Sequence, residues 1–416
     1  MKIGVVGLGK LGLPVAVAID SKGHEVHGYD ISSSPSEYLR NRRIPFVEKG
    51  LQPLLDSHSV VVHESLDEVI AASDIVFLPV QTPHGPEFEG STRIPDERAD
   101  FDYSWLLSAI TNVTESADRL EKDIDLVVIS TCLPGTYREH IEPIVSASAH
   151  VDYFYNPFFI AMGTVLDDFL NPEFVLLGAD SDADPVIDFY ETIHDRPVLA
   201  TDITTAEGIK VSYNTFITMK TVLANVWGEL SEKIGMNFDD IYRAWSISSE
   251  RLISPKYLKA GMGDGGGCHP RDNIALSWLA KKTDLSHNIF EDLMAAREDH
   301  AEWLADLTVD TAFRVGLQIS ILGRAFKPET NIETGSPSVL VANIVRELLE
   351  KYDSDTPVRH VEDVAEGDLV PAVYLIGTQH ERYENYVFPV GSVVIDPFRY
   401  LPEQDGVRYI HIGDGK

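Results

Sequence analysis

The stretch KIGVVGLGKLG at residues 2–12 decides the fold, because a short apolar run there ends in closely spaced glycines. Gly7, Gly9 and Gly12 have the spacing GxGxxG, and an apolar helical pattern follows. A second apolar run, HEVHGYD at 24–30, ends on Asp30. A glycine turn between a strand and a helix, with an acid roughly twenty residues further on, is typical of a dinucleotide-binding β-α-β unit.

Each residue of this turn has a predicted role in binding the cofactor. Gly7 permits the tight turn, Gly9 lets a pyrophosphate approach the backbone, and Gly12 lets helix and strand pack closely. The N-terminus of the helix faces the phosphates. Asp30 can accept a hydrogen bond from a ribose 2′-hydroxyl and would repel a 2′-phosphate, so the predicted cofactor is NAD rather than NADP.

Further apolar runs of strand length alternate with helical patterns. They lie at 60–63, 74–80, 124–130 and 174–178, and later at 317–323, 373–377 and 392–396. Strands that alternate with helices predict parallel, doubly wound sheets. Between the two series, the proline-free stretch 204–235 has apolar residues at helical spacing, which predicts one long helix.

The predicted fold is therefore α/β, with two Rossmann-like doubly wound parallel-sheet domains joined by a long central helix and a helical middle domain. The predicted domains are an NAD-binding domain at 1–200, a central helical domain for dimerisation and catalysis at 201–300, and a second Rossmann-like domain at 301–416.

The composition excludes several classes of protein. The 416 residues include 66 Asp and Glu but only 34 Lys and Arg, which gives a formal net charge of -32. This charge disfavours nucleic acid and anionic membranes as partners. A solvated acidic surface, or adaptation to a salty cytoplasm, would explain this charge. No apolar run approaches the roughly 20 residues that span a bilayer, and no secretory signal is apparent. Cys132 and Cys268 make no disulfide framework, so a reducing cytoplasm is expected.

Cys268 stands in the stretch GMGDGGGCHPRDN at 261–273, behind five glycines. It is either a small buried hydrophobe in a tight turn or a nucleophile that substrate approaches closely. A helix beginning near PRDN would favour the thiolate through the positive end of its dipole. His269 suggests a metal only superficially, because no second Cys or His pair has ligand spacing, and no metal is predicted.

Six ordered motifs resemble those of the UDP-glucose/GDP-mannose dehydrogenase family. They are STCLPGT (130–136), YNPFFIAMG (155–163), NPEFVLLG (171–178), AEGIKVSYN (206–214), GGGCHPRDN (265–273) and GRAFKPET (323–330). Members of that family oxidise C6 of a nucleotide-sugar hexose to the acid, using two NAD⁺ in succession. The resemblance implies oxidation of UDP-glucose to UDP-glucuronate through a thiohemiacetal and a thioester on Cys268.

The resemblance also implies roles for other residues. Lys210 would donate to the developing oxyanion, unless it is an exposed helix lysine. Asn214, on the same helix face, would orient that oxygen or a water. Asp272 would hold the water and help move a proton, or serve as a helix N-cap. Thr131 would border the nicotinamide, or form a local turn, and Thr82 resembles the cofactor-loop threonine.

The predicted site residues fall into three sets. The catalytic set is Cys268, Lys210, Asp272, Asn214 and Thr131. The cofactor-binding set is Gly7, Gly9, Lys10, Leu11, Gly12, Asp30, Thr82, Thr131 and Arg271. The substrate-binding set is Phe158, Lys210, Asn214, Arg251, Tyr257, Gly263, Gly265, Lys327 and Arg399.

Three cations of the last set are implied by the resemblance to meet the substrate phosphates. Arg251 resembles an arginine that reaches into a neighbouring subunit's site, which implies at least a homodimer. Lys327 and Arg399 resemble cations of the second α/β domain, which would bind the UDP part of the substrate. A surface salt bridge is the alternative for each cation.

The chain departs from the family at three positions. Phe158 replaces a carboxylate assigned to thioester hydrolysis, Met162 replaces the next glutamate, and Thr334 replaces an arginine near NAD. Asp272 and water could suffice for the hydrolysis, the substrate could be unusual, or an acid of the long segment 84–104 could substitute. The candidate acids are Glu87, Glu89 and Asp96.

Two other functions stay open at this point. A two-electron dehydrogenase of the hydroxy-acid type also uses a helix lysine and asparagine, but it leaves Cys268 unexplained. A non-catalytic protein that binds NAD and a nucleotide sugar is suggested by Phe158 and Thr334.

Overall fold

The computed structural model describes the chain except for residues 45, 47, 59, 84, 86–98, 161–162, 264–267, 329, 331, 366–367 and 414–416. The chain forms two compact units, Met1–Met219 and Lys220–Lys416. The finer division into domains at 200 and 300 stays a prediction.

The first unit is built on an eight-stranded sheet with the order β3-β2-β1-β4-β5-β6-β7-β8. Its strands are β1 (Lys2–Val6), β2 (Glu25–Tyr29), β3 (Val61–Val62), β4 (Ile75–Leu78), β5 (Ile124–Val128), β6 (Val151–Tyr155), β7 (Val175–Gly178) and β8 (Val198–Thr201). The doubly wound parallel sheet is confirmed, with one exception: β6 and β7 pair antiparallel. Strand order reverses between β1 and β4, and open α/β sheets bind ligands beside such a reversal.

Helices cover both faces of this sheet. They are α1 (Gly12–Ser21), α2 (Ser34–Asn41), α3 (Leu51–Ser57), α4 (Leu66–Ala72), α5 (Ser104–Leu120), α6 (Glu142–Val145), α7 (Val165–Leu170) and α8 (Asp184–Ile193), and a π-helical turn (Tyr137–Ile141) precedes α6. Alternate residues of β4 face opposite sides. Phe77 packs against Phe189 of α8, with ring centroids 5.3 Å apart, whereas Val76 joins Leu106 and Ile110 of α5. Burial on both faces explains the continuous apolar runs of these strands.

The predicted long helix is confirmed as α9 (Ile203–Ile234), whose 32 residues begin in the first unit and end in the second. Glu207 and Lys210 lie in its first two turns, and both are buried. In the part of the chain that the structure describes, no helix is long and apolar enough to cross a membrane.

The second unit contains a five-stranded parallel sheet with the order β10-β9-β11-β12-β13. Its strands are β9 (Gln318–Leu322), β10 (Val358–Val361), β11 (Ala372–Ile376), β12 (Val393–Asp396) and β13 (Arg408–His411). Its helices, besides the end of α9, are α10 (Phe238–Ile247), α11 (Cys268–Lys282), α12 (Ile289–Val315) and α13 (Pro337–Lys351), and a 3₁₀ helix spans Glu381–Asn385. Leu304 of α12 and Val345 of α13 pack with Ile319 and Ile321 of β9 in the core.

Candidate active site

A cleft of about 650 Å³ opens at the carboxyl ends of β1, β2 and β4, beside the reversal of strand order. Gly7 and Gly9 line it from the turn after β1, and Asp30 lines it from the end of β2. The loop after β4 and one face of α5 form its other walls. Trp105, in the first turn of α5, contributes an exposed ring to this face. This position is where a dinucleotide crosses a doubly wound sheet.

The glycine turn has the geometry that its sequence predicts. Gly7 has φ +112°, which residues with a side chain rarely adopt. A Cβ on Gly12 would stand 1.8 Å from the carbonyl oxygen of Gly7, so only glycine lets α1 approach the turn. Lys10 is exposed beside the turn, and Leu11 directly precedes α1.

Asp30 holds this turn from the end of β2. Its Oδ2 accepts a hydrogen bond from the amide of Leu8 at 2.7 Å, and its Oδ1 accepts one from Ser32 at 2.8 Å. The carboxylate therefore shapes the phosphate-facing turn in addition to lining the cleft where a ribose would lie. These residues fit NAD, which accepts a hydride when it is bound.

The two predicted threonines meet in the first unit. The hydroxyl of Thr82, after β4, donates to the carbonyl oxygen of Thr131, after β5, at 2.8 Å. The next residue, Cys132, is fully buried, and burial raises the pKa of its thiol well above the usual range. Cys132 is therefore a neutral structural thiol and no candidate for the nucleophile.

Lys210 is only 8% exposed, so its interpretation as an exposed helix lysine is wrong. Its Nζ donates to the carbonyl oxygen of Phe158 at 2.8 Å and lies 5.1 Å from the centroid of the Phe159 ring. Burial lowers the pKa of Lys210 below its ordinary value. An amine in this state can exchange a proton closer to neutral pH than an exposed lysine.

Asn214 lies one turn beyond Lys210 on α9 and is exposed. The half-buried ring of Phe158 packs against Phe169 at the edge of the core, with centroids 5.5 Å apart. Position 158 therefore offers Lys210 a carbonyl oxygen and no carboxylate. Met162, together with the candidate acids Glu87, Glu89 and Asp96, lies outside the described residues.

In the second unit, α11 begins at Cys268, as the sequence predicts. The thiolate that the sequence predicts at this position stays a prediction. Asp272 lies in the second turn and pairs with Arg271, whose Nε is 3.0 Å from Oδ1, so the interpretation of Asp272 as an N-cap is wrong. The Cys268 side chain and Gly265 lie outside the described part of the chain.

The remaining predicted residues of the second unit lie in its loops. Arg251 and Tyr257 are exposed in the turns after α10, and Gly263 has φ +126°. The ammonium of exposed Lys327 lies 5.3 Å from the ring centroid of Phe326. Their contacts with a substrate stay predictions.

Arg399 is held by backbone carbonyl oxygens of its own unit. Its Nη1 donates to Pro397 at 3.0 Å and to Ile412 at 2.5 Å, and its Nη2 donates to Ala260 at 3.1 Å. Its guanidinium therefore connects the loop after β12 to Ala260, which directly precedes the glycine-rich stretch 261–273. A role in binding phosphate would come in addition to this structural one.

Sequence reasoning missed two acids that organise these loops. The carboxylate of Glu207 accepts hydrogen bonds from two backbone amides of the loop after β5. Glu362, which follows β10, accepts the amides of Arg324 at 2.6 Å and Ala325 at 3.1 Å, as Asp30 accepts Leu8 in the first unit. The signal for Glu362 was an acid after a strand, but β10 itself was not predicted.

Known proteins are similar to this chain in sequence and in fold. The family model for the NAD binding domain of the UDP-glucose/GDP-mannose dehydrogenase family matches residues 1–195, and the model for its central domain matches residues 204–298. UDP-glucose 6-dehydrogenase of Rhizobium meliloti (strain 1021) is 30% identical over 363 residues, 83% of this chain and 79% of that protein.

Two GDP-mannose enzymes are also similar. GDP-mannose 6-dehydrogenase of Pseudomonas syringae pv. tomato is 26% identical over 433 residues, 95% of each protein. A ternary complex of GDP-mannose dehydrogenase from Pseudomonas aeruginosa has the same fold, with a TM-score of 0.85 at 22% identity over 98% of this chain and 99% of that one. The chain therefore belongs to the UDP-glucose/GDP-mannose dehydrogenase family, whose members are NAD-binding oxidoreductases.

Proposed function

We propose that this enzyme oxidises UDP-glucose to UDP-glucuronate, removing four electrons from C6 in two steps. The buried Lys210 is the observation that carries the proposal. Its amino group is desolvated and bonded to one carbonyl oxygen, so it is available to stabilise an oxyanion. The name of the Rhizobium meliloti relative supports UDP-glucose as the substrate.

In the first step, the C6 hydroxyl releases its proton to solvent, and C6 gives up a hydride that NAD⁺ would accept. The Lys210 ammonium stabilises the oxygen on which negative charge develops. The Cys268 thiolate then adds to the aldehyde carbon, and protonation of the oxygen completes a thiohemiacetal. The intermediate stays bound between the two oxidations.

In the second step, loss of another hydride and the hydroxyl proton converts the thiohemiacetal into a thioester. Water adds to the thioester carbonyl, the carbon–sulfur bond breaks, and the Cys268 thiolate is regenerated with the carboxylate. Asp272 is proposed to orient this water and accept its proton. A thioester is already activated, so we propose that this acid suffices without a carboxylate at Phe158.

The active species is proposed to be at least a homodimer. Large apolar side chains are exposed on and after the helices of the second unit, including Ile247 at 77%, Ile274 at 61% and Trp278 at 62%. Contact with a second copy would bury them. Light scattering of the purified enzyme tests this point, and a monomer at micromolar concentration would contradict it.

The deciding experiment counts NADH and identifies the product from UDP-glucose, with GDP-mannose as the second candidate because the Pseudomonas syringae relative aligns over 95% of both chains. Two NADH and one uronate per sugar support the proposal. One NADH with an aldehyde product would assign a two-electron dehydrogenase. Binding by calorimetry without any NADH would assign a non-catalytic protein.

Cys268→Ser tests the covalent step in the same assay. A serine alcohol is a far weaker nucleophile than a thiolate, so this variant should release or hold the aldehyde after one NADH. Full uronate yield from Cys268→Ser would contradict the thioester, whatever the substrate.

A further inference from the structure

Glu207 is a buried acid at the start of the second turn of α9, three residues before Lys210, and its exposed fraction is 0%. Its Oε2 accepts the amide of Gly135 at 2.7 Å, and its Oε1 accepts the amide of Tyr137 at 2.8 Å. Both oxygens are therefore bonded to the loop that begins at Thr131.

Chemistry favours a carboxylate at this point. Tyr137 begins the π-helical turn that leads into α6, and the first amides of a helical segment lack partners within it. Anionic oxygens satisfy such amides and interact favourably with the helix dipole. Burial raises the pKa of Glu207, while the two amides and the nearby Arg138 act in the opposite direction.

Other side chains hold the loop between its ends. The amide of Cys132 donates to the Tyr155 hydroxyl, and the amide of Leu133 donates to the Tyr103 hydroxyl, both at 3.2 Å. Tyr103 also accepts from the Thr136 hydroxyl at 3.1 Å. The backbone from Thr131 to Tyr137 is thus fastened to several elements, and Glu207 fastens it to the helix that carries Lys210.

We infer that Glu207 is a positioning residue, which sets the distance between Thr131 and Lys210 without touching substrate or cofactor. The inference rests on the proposed function, in which Thr131 borders the nicotinamide and Lys210 meets the C6 oxygen. Hydride transfer requires both groups to be correctly positioned relative to the reacting carbon. A displacement of roughly 1 Å in such a group can cost about 100-fold in rate.

Glu207→Gln tests this role because it keeps the size of the side chain but turns an NH₂ toward one of the two amide donors. The amides of Gly135 and Tyr137 should exchange with deuterium faster than in wild type. The kcat of the variant should be about 100-fold lower than that of wild type. The primary isotope effect, measured with C6-dideuterated UDP-glucose, should be larger in the variant, because hydride transfer becomes rate-limiting. The KM for NAD⁺ should change little, because Gly7 and Asp30 are untouched.

Asp202→Asn is the matched control. Asp202 also lies at the start of α9 and accepts the amide of Thr205 at 2.9 Å, but it has no hydrogen bond to the loop. This variant should lose thermal stability without a change in isotope effect. If Glu207→Gln does not fold, Tyr103→Phe replaces it: loss of the hydroxyl should speed exchange at Leu133 and raise the isotope effect in the same direction.

The outcomes separate the two claims. A wild-type enzyme that produces no NADH from UDP-glucose or GDP-mannose would overturn the proposed function and the catalytic meaning of Glu207 with it. An active wild type, beside a Glu207→Gln variant of unchanged kcat and isotope effect, would overturn the inference alone. Faster exchange with an unchanged isotope effect would leave Glu207 only a structural role, which also overturns it.

Discussion

Nζ of Lys210 and the carbonyl oxygen of Phe158 are 2.8 Å apart, so the buried ammonium donates to the backbone of the segment after β6. This contact joins the helix α9 to the segment after β6, and position 158 contributes to it a neutral carbonyl oxygen. Lysine in an apolar site loses part of its preference for the charged form, whereas a neighbouring carboxylate would restore it. Burial lowers the pKa of Lys210, and position 158 supplies no carboxylate that would act against this effect.

Phe158→Glu places a carboxylate on the residue whose carbonyl oxygen already contacts Lys210, and it should raise the pKa of Lys210. If the ammonium form of Lys210 is required, activity is lost as the pH rises through its pKa, and a carboxylate beside it should move this alkaline limb upward by about 1 pH unit. The pH dependence of kcat measures the shift. Phe158→Gln is the control, because it adds polarity without charge, and an equal shift in that variant would contradict the electrostatic explanation.

Lys210→Met should abolish NADH production and stabilise the fold near neutral pH. The folded-state pKa of Lys210 is lowered, so the unfolded chain binds more protons between that pKa and about 10.4, and the stability of wild type rises with pH across this window. Methionine removes the free-energy cost of burying an ammonium, so the free energy of unfolding near neutral pH should rise by about 1 kcal/mol. Urea unfolding at several pH values checks it, and a methionine variant that keeps the pH slope of wild type would refute this assignment.

Asp125→Asn should also stabilise the protein at pH 7–8. Burial, with Asp152 and Asp74 adding repulsion, raises the pKa of Asp125 to about 6. Because the folded state then binds more protons than the unfolded chain, stability falls as pH rises from about 4 to 6 and stays lower above that. Asparagine cannot ionise, so Asp125→Asn should raise the free energy of unfolding at pH 7.5 by about 1–2 kcal/mol. Urea unfolding measures the change. Asp180→Asn, at an exposed position, is the control and should change the free energy of unfolding by less than about 0.5 kcal/mol.

Asp30→Ala should raise the KM for NAD⁺ about tenfold or more. The variant removes the acceptor predicted for the ribose and the oxygen that holds the amide of Leu8 at 2.7 Å, and hydrogen bonds to charged groups are worth about 1.5–3 kcal/mol. Initial rates against NAD⁺ concentration measure the change. The exposed Glu37→Gln on α2 serves as the control, and a tenfold effect there too would point to bulk charge rather than to Asp30.

Edge strands show why part of the fold escaped prediction. β10 and β13 are the two edges of the second sheet, and their sequences, VRHV and RYIH, mix charged with apolar residues. All four residues of β8, at the edge of the first sheet, are half-buried or exposed. A strand that is solvated on one side needs no continuous apolar run, so its existence is set by its neighbour in the sheet.

What the sequence determines by itself is local. The Gly7–Gly12 turn, the acid that follows β2 and the 32-residue helix α9 depend on backbone conformation and side-chain periodicity within a few turns of chain. Tertiary structure alone decided that Lys210 is buried against Phe158, and that Glu207 holds amides some seventy residues earlier in the chain. Burial, and the pKa that follows from it, depends on which distant segments exclude water from a side chain, and no local pattern encodes that.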